Sequence, residues 1–199
     1  MPSYIDNNTQ IPAARVKMND DSTGFVNRPW YRWFFNTYQA VEAGRRYGSF
    51  YSTQTQTAAS ANTPYAMTFN TTTTNAQGTD LTYGVYTSLP NSRVYVDITS
   101  TYNIQFSAQF YSSSSSAKIV RIWIAVNGTA VPDTATKVTV KDGAYVAAWN
   151  FLLNLTAGDY FELYWDTENT AVSILAEAAA APVPAIPSVI LTVTSCVGV

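Results

Sequence analysis

Hydrophobic and polar residues alternate along most of the chain after Tyr47. In residues 102–110 every second side chain is hydrophobic, and residues 120–126 repeat the pattern. A period of two is typical of strands in an antiparallel sheet with one buried face. The Asn127-Gly128 dipeptide that follows favours a two-residue hairpin turn, because both residues tolerate positive φ. These segments therefore predict neighbouring antiparallel strands.

Other segments of the same region predict further strands. Their residues are 47–54, 65–70, 81–87, 93–99, 129–131, 145–155, 160–166, 171–176 and 188–197. Between them, 71–74 and 112–116 are polar enough to predict solvated loop tips. Three prolines in 178–187 exclude a helix there and predict a connection that lies flat against the domain. Eight to ten strands without a helical pattern indicate an all-β sandwich or barrel.

The first 45 residues follow a different pattern. Residues 1–28 are polar and predict an extended N-terminal arm, whereas 29–43 are rich in aromatic side chains. Pro29 suits the first turn of a helix and Gly44 the position just beyond its end, so we predict a short helix at about 29–43. The chain is thus expected to divide into an anchoring segment, 1–45, and one β-domain, 46–199.

The predicted helix has a wide apolar face. The aromatic residues on or beside that face are Trp30, Tyr31, Trp33, Phe34, Phe35 and Tyr38. This is more aromatic surface than a small β-domain buries from one side, and exposed patches of this kind mark docking surfaces. We interpret these six residues as a surface that docks on a partner or a neighbouring subunit. The alternative is that the helix packs under its own domain.

Only 12% of the residues are charged and the net charge is −2, whereas 47% are hydrophobic. A weakly charged surface repels a neighbouring copy little and indicates oligomerisation. Without a basic cluster, binding to nucleic acid is not expected, and no apolar run is long enough for membrane insertion. The sequence starts without a signal peptide, which predicts synthesis and retention in a cytoplasm. The single cysteine, Cys196, is expected to be buried in the core.

The residue inventory leaves little room for catalysis. The chain has no histidine, one cysteine and no phosphate-binding glycine loop, so we expect no enzyme, no catalytic residue, no metal and no cofactor. The remaining candidates are two carboxylate pairs, Asp159 with Glu162 and Asp166 with Glu168. We interpret them as solvated turn and edge residues. A glycosidase pair, or a calcium site at Asp166 and Glu168, are the alternatives.

Three segments of the β-region resemble the TNF/C1q-like jelly-roll superfamily. Residues 100–106 (STYNIQF) resemble its Gly-x-Tyr-x-Phe-x-Phe strand, with Ser100 at the glycine position. Residues 153–163 (LNLTAGDYFEL) resemble its Leu-x-x-Gly-Asp-x-x-x-Leu hairpin, and 189–193 (VILTV) are similar to its last, central strand. The resemblance implies a ten-stranded, two-sheet antiparallel jelly roll and a compact homotrimer.

Residues 28–36 (RPWYRWFFN) are similar to a segment near the start of many tailed-bacteriophage virion proteins. This resemblance implies a structural virion protein: a fibre, a knob or a decoration protein. Its partners would be its own copies and capsid or tail proteins, with a host-surface glycan or protein as a further contact. Such a protein would be made in the host cytoplasm and located in the virion.

A second hypothesis is a free C1q-like module that binds carbohydrate or protein. Tyr164 and Trp165 are its candidate surface contacts for a ligand, together with Trp149. Core packing is the alternative role for both tryptophans. A depolymerase that cleaves glycosides is a third hypothesis, and it requires Glu162 or Asp166 to be catalytic.

Overall fold

A computed structural model describes residues 11–43 and 46–196, which form one helix and fifteen strands. Helix α1 spans Arg28–Ala43, so the predicted helix is confirmed to within one residue at its start. Residues 1–10 and Gly44 lie outside the described residues, and so do the predictions made for them. The strands are β1 (Tyr47–Ser52), β2 (Gln56–Thr57), β3 (Tyr65–Ala66), β4 (Thr71–Thr72), β5 (Thr82–Tyr83), β6 (Val85–Ser88), β7 (Arg93–Val96), β8 (Ser100–Ser112), β9 (Lys118–Val126), β10 (Thr129–Ala130), β11 (Thr136–Val140), β12 (Gly143–Leu155), β13 (Tyr160–Thr167), β14 (Val172–Ile174) and β15 (Val189–Cys196).

The strands form two antiparallel sheets that pack as a sandwich. The first sheet has the order β2-β14-β8-β15-β1-β4, with β12 also paired to β8 and β5 to β1. The second has the order β10-β9-β13-β7-β6, with β11 also paired to β9 and β3 to β13. The predicted all-β, two-sheet jelly-roll sandwich is confirmed.

The core lies between the two sheets and is built from the alternating residues. Ile104 and Phe110 of β8 are fully buried, as are Ile122 and Ile124 of β9. Burying one such side chain stabilises the fold by roughly 1.5–3 kcal/mol. The alternation that the sequence shows in 102–110 and 120–126 is therefore the alternation between core and outer face.

Three short segments differ from the prediction. Thr71 and Thr72 form β4 against β1 and are half-buried, so they are not a solvated loop tip. β-Branched threonine fits a pleated, half-buried surface well. The sequence pattern does not predict β11, because the outward-facing residues of this strand are as polar as those of a loop. Residues 177–186 form a small hairpin with an exposed tip, not a flat connection, because Ala180 and Val183 exchange backbone hydrogen bonds.

The turns around β13 explain two of the candidate residues. Asn127 and Gly128 have φ of 50° and 79°, which confirms the predicted hairpin turn between β9 and β10. The connection from β12 to β13 crosses from one sheet to the other, so the hairpin expected within 153–163 is wrong. Asp159 stabilises this crossing: its carboxylate accepts from the Thr156 amide at 2.7 Å and from Asn127 Nδ2 at 2.8 Å.

Residues 11–27, the described part of the predicted arm, are rich in turns and are not extended. Asn19 and Val26 form an antiparallel bridge, and the amide of Asn27 donates to the carbonyl of Met18 at 2.7 Å. Asp20 lies in the loop between them and accepts the amides of Ser22 and Thr23. These hydrogen bonds, with the Ser22 hydroxyl first, lower the pKa of Asp20.

Cys196 ends β15 opposite Thr101 and is only half-buried. The expected full burial is therefore wrong. The last residues of a strand at a sheet end are covered on fewer sides than its middle, where Leu191 and Val193 are fully buried.

Candidate functional site

The aromatic face of α1 is largely exposed in the structure. The exposed fractions are 63% for Tyr31 and Tyr38, 45% for Phe34 and 47% for Phe35. Trp30 and Trp33 are half-buried. The six residues named from the sequence are therefore brought together on one helix, and four of them expose between 45% and 63% of their surface.

The ring contacts found for these side chains join them to one another. Trp30 meets Trp33 edge to face at 6.1 Å between centroids, and Tyr31 stacks on Phe35 at 6.3 Å. The indole nitrogen of Trp30 donates to the carbonyl of Val16 at 2.9 Å. The turn-rich segment thus covers the start of the helix, and the face beyond it stays open.

A second group of aromatic residues lies on the outer face of the second sheet. Tyr86 of β6 stacks on Tyr95 of β7 at 5.6 Å, and Tyr95 contacts Tyr160 of β13 at 5.3 Å. The guanidinium of Arg93 lies 4.5 Å from the centre of the Tyr160 ring. Because these residues are neighbours across three paired strands, their positions are set by the register of the sheet.

Glu162 lies on the same outer face but is not solvated as expected. It is 5% exposed, and its carboxylate accepts from the Ser92 hydroxyl at 2.6 Å and from the Tyr164 hydroxyl at 3.3 Å. Arg93 Nε is 3.9 Å away. Burial and the charge of Glu162 raise the pKa of Tyr164, so the phenol stays protonated as a donor. Glu162 is therefore a buried, hydrogen-bonded carboxylate.

Tyr164 also borders a shallow cleft on this face. Its ring stacks on Trp123 of β9, with centroids 5.8 Å apart and planes 13° from parallel. Trp123 lines the cleft together with Arg121 and Asp166, which form an ion pair at 2.8 Å. Asp166 is only 7% exposed, so it too differs from the solvated carboxylate that was expected.

Trp123 and Arg121 were not recognised in the sequence. The signal was nevertheless present, because Val120, Ile122 and Ile124 alternate inward and the residues between them must point outward. Their pairing with β13 then brings Trp123 opposite Tyr164 and Arg121 opposite Asp166.

Trp165, a predicted surface contact, lies in the core. It is 1% exposed and packs against Phe110 and Tyr65 at 5.7 and 6.1 Å. The prediction of a surface ligand contact is therefore wrong for Trp165, and the core-packing alternative describes it. Trp149 is half-buried in an edge-to-face contact with Phe106 at 4.7 Å.

The described residues include no cluster of three or more His, Cys, Asp or Glu side chains that could hold a metal ion. Glu168, the partner suggested for Asp166 in a calcium site, is exposed. The Asp166 carboxylate is instead paired with Arg121. In 11–43 and 46–196, no helix combines the length and the apolar character needed to cross a bilayer.

Comparison of the chain with models of known protein families finds no match, and no curated protein matches its sequence.

Proposed function

We propose that the protein is a structural virion protein of a tailed phage, attached through its N-terminal helix and carrying its jelly roll as a projecting knob. It serves as a fibre, a knob or a decoration protein, and it has no catalytic role. The observation that carries the proposal is the exposed aromatic face of α1. Four large aromatic side chains with 45–63% of their surface exposed favour a docking surface over a solvent-facing one.

The order of the strands supports the TNF/C1q-like resemblance. Strand β15 lies between β1 and β8, which is the central position that the resemblance implies for the last strand. The Gly158-Asp159 pair lies in the turn between β12 and β13, where the chain passes from one sheet to the other, and not in the hairpin that the resemblance implies. We therefore propose that the chain is a jelly-roll virion protein, which is made in the host cytoplasm and located in the virion.

Strand β12 supports assembly into a homotrimer. It is 13 residues long and, within the described residues, pairs only with β8, so its other edge is unpaired. Its outer face exposes Val146 at 62% and Leu152 at 63%. A long apolar edge is a liability for a monomer unless another chain covers it.

The attachment test is incorporation of the protein into virions. A Tyr31→Ser, Phe34→Ser, Tyr38→Ser triple variant should no longer sediment with particles, because it removes the docking surface without touching the sandwich. Arg32→Ala, an exposed change on the same helix, is the matched control and should incorporate normally. Normal incorporation of the triple variant, or of a chain that lacks residues 1–45, would disprove anchoring.

The assembly test is the mass in solution. Light scattering should give a trimer for the full chain, and a Val146→Lys, Leu152→Lys variant should be monomeric because two charges then line the edge. Leu89→Lys, at a residue 83% exposed in the loop after β6, is the control and should remain trimeric. A monomeric parent chain would remove the homotrimer from the proposal.

A free C1q-like module that binds carbohydrate or protein is the second candidate. The observation that favours it is the aromatic outer face of the second sheet, where Tyr164 lies beside Trp123. A free module binds its ligand without any virion component, whereas an anchor protein requires the particle. A depolymerase, unlike the virion protein and the free binding module, would release products from a glycan. The variants Glu162→Gln or Asp166→Asn would abolish that release.

A further inference from the structure

The cleft beside Trp123 is a shallow, open concavity on the outer face of the second sheet, lined by both apolar and charged side chains. Its volume is about 410 Å³, within the ~300–1,000 Å³ range of small-molecule sites. It lies between β9, β13 and the loop after β10. The side chains that matter are Arg121, Trp123, Val131, Pro132, Asp133 and Asp166.

The wall of the cleft is held in place by hydrogen bonds. The Val131 amide donates to the Ile124 carbonyl at 2.9 Å, and the Thr134 hydroxyl donates back to the Val131 carbonyl at 2.8 Å. Asp133 adopts φ of 61° at the bend. The loop is thus tied to β9, and the cleft exists before any ligand arrives.

The apolar part of the cleft suits the C–H face of a sugar ring. Trp123 is half-buried, and its indole is held by stacking on Tyr164. Val131 and Pro132 add an apolar wall. A rigid aromatic ring beside an apolar wall can bury the hydrophobic face of a pyranose at little cost in side-chain entropy.

The polar part suits hydroxyl groups. Arg121 Nε donates to Asp166 Oδ1 at 2.8 Å and Nη2 donates to Asn62 Oδ1 at 2.9 Å, so the guanidinium is fixed. Since 46% of the Arg121 side chain is exposed, donors remain on the cleft side. A sugar hydroxyl both donates and accepts, so it can bridge a fixed guanidinium and an adjacent carboxylate.

The balance of charge selects the class of sugar. The lining carries one positive side chain, Arg121, which is paired with Asp166, and a second negative side chain, Asp133. The cleft therefore has no excess of positive charge to attract a carboxylated or sulfated sugar. We infer that the Trp123 cleft binds one ring of a neutral saccharide, stacked on the indole with its hydroxyls on Arg121 and Asp166.

This inference does not rest on attachment to a virion, because the cleft belongs to the sandwich and not to α1. The test uses the full chain and a set of methyl glycosides of neutral hexoses and N-acetylhexosamines, followed by saturation-transfer NMR. We expect millimolar binding of at least one probe, since one ring makes few contacts.

The variants locate that binding. Trp123→Ala should weaken it by about tenfold or more, and Trp123→Phe by less, because the smaller ring keeps part of the stacking surface. Ala135→Trp should also abolish binding, since it fills the cleft from an exposed rim position without removing a core contact. Tyr86→Ala, an exposed aromatic of the same sheet outside the cleft, is the control and should bind normally.

Three results would overturn the inference. They are no binding of any probe at tens of millimolar, unchanged binding by a folded Ala135→Trp variant, and tighter binding of an anionic sugar than of every neutral one. Failure of virion attachment leaves all three measurements unaffected, so the two proposals are tested separately.

Discussion

Helix α1 and the sandwich use the same aromatic residue types in opposite ways. Tyr31 and Tyr38 of α1 are each 63% exposed, whereas Tyr102 and Trp165 of the sandwich are 0% and 1% exposed. The buried sandwich aromatics alternate along strands that face a second apolar sheet, whereas others, such as Tyr86, lie on the outer face. The α1 aromatics extend over a wide arc and contact mainly each other. Aromatic content therefore stabilises the fold only where a second layer faces it, and elsewhere it remains available for contacts.

The sharpest test of this comparison removes one phenylalanine from each region. Phe110→Ala opens a cavity in the core and should lower the free energy of unfolding by about 3–5 kcal/mol. Phe34→Ala, which removes a 45% exposed ring, should change it by less than about 0.5 kcal/mol. Denaturant titration measures both. Comparable losses would mean that α1 is part of the cooperative core.

The second test concerns the titration of one buried tyrosine, Tyr102. Burial, followed by the charge of Asp97, raises the pKa of Tyr102 from 10.0 to about 12. The folded state then holds a proton that the unfolded state has lost, so stability present below pH 10 falls as the pH rises towards 12. We expect a loss of about 2–3 kcal/mol over that interval.

The Tyr102→Phe variant removes this dependence and should flatten the stability curve above pH 10. Tyr38→Phe, the same change at a position of α1 that is 63% exposed, is the control variant. Stability measured at several alkaline pH values checks both. A Tyr102→Phe variant with the parent's slope would contradict the assignment.

The third test compares two ion pairs. Asp166→Asn leaves the Arg121 guanidinium without its charged partner at a site where Asp166 is 7% exposed. It should lower the free energy of unfolding by about 1–3 kcal/mol. Asp21→Asn breaks the exposed pair with Lys17 and should not change global unfolding measurably, because solvent screens it. Thermal unfolding of the two variants and the parent is the measurement. A larger loss of stability in Asp21→Asn than in Asp166→Asn would contradict this prediction.

The smallest expected difference concerns two glycines with positive φ. Gly128 has φ of 79° in the β9–β10 turn, and Gly24 has φ of 72° in the segment before α1. Gly128→Ala should cost about 1 kcal/mol through backbone strain. Gly24→Ala should increase local hydrogen exchange around Asn19 and Val26 without changing global unfolding. Equal effects on global stability would show that this segment unfolds together with the sandwich.

The sequence was sufficient for the parts of the fold that depend on local pattern. The alternation in residues 102–110 predicted β8 and its buried face, and Asn127-Gly128 predicted the turn between β9 and β10. The burial of Glu162 was not predictable in this way, because Ser92 and Arg93 reach it from a strand about seventy positions earlier in the chain. The edge position of β12 likewise depends on strand order, which local pattern does not determine.

The candidate site illustrates the same limit at the level of single residues. Tyr164 and Trp165 are consecutive on a strand, so they point to opposite faces and cannot share one ligand. Both were candidate surface contacts from the sequence, with core packing as the alternative for Trp165, and only Tyr164 is on the outer face. The side chain that accompanies it, Trp123, comes from β9 through a cross-strand pair that the sequence did not specify.

The position of β15 has a consequence for synthesis on the ribosome. Both neighbours of β15, β1 and β8, precede it in the chain, and β1 is separated from it by well over a hundred residues. The gap between β1 and β8 cannot close until β15, residues 189–196, has left the exit tunnel. Until then β1 and β8 have open edges in a partly synthesised chain, which makes early chaperone contact useful during translation.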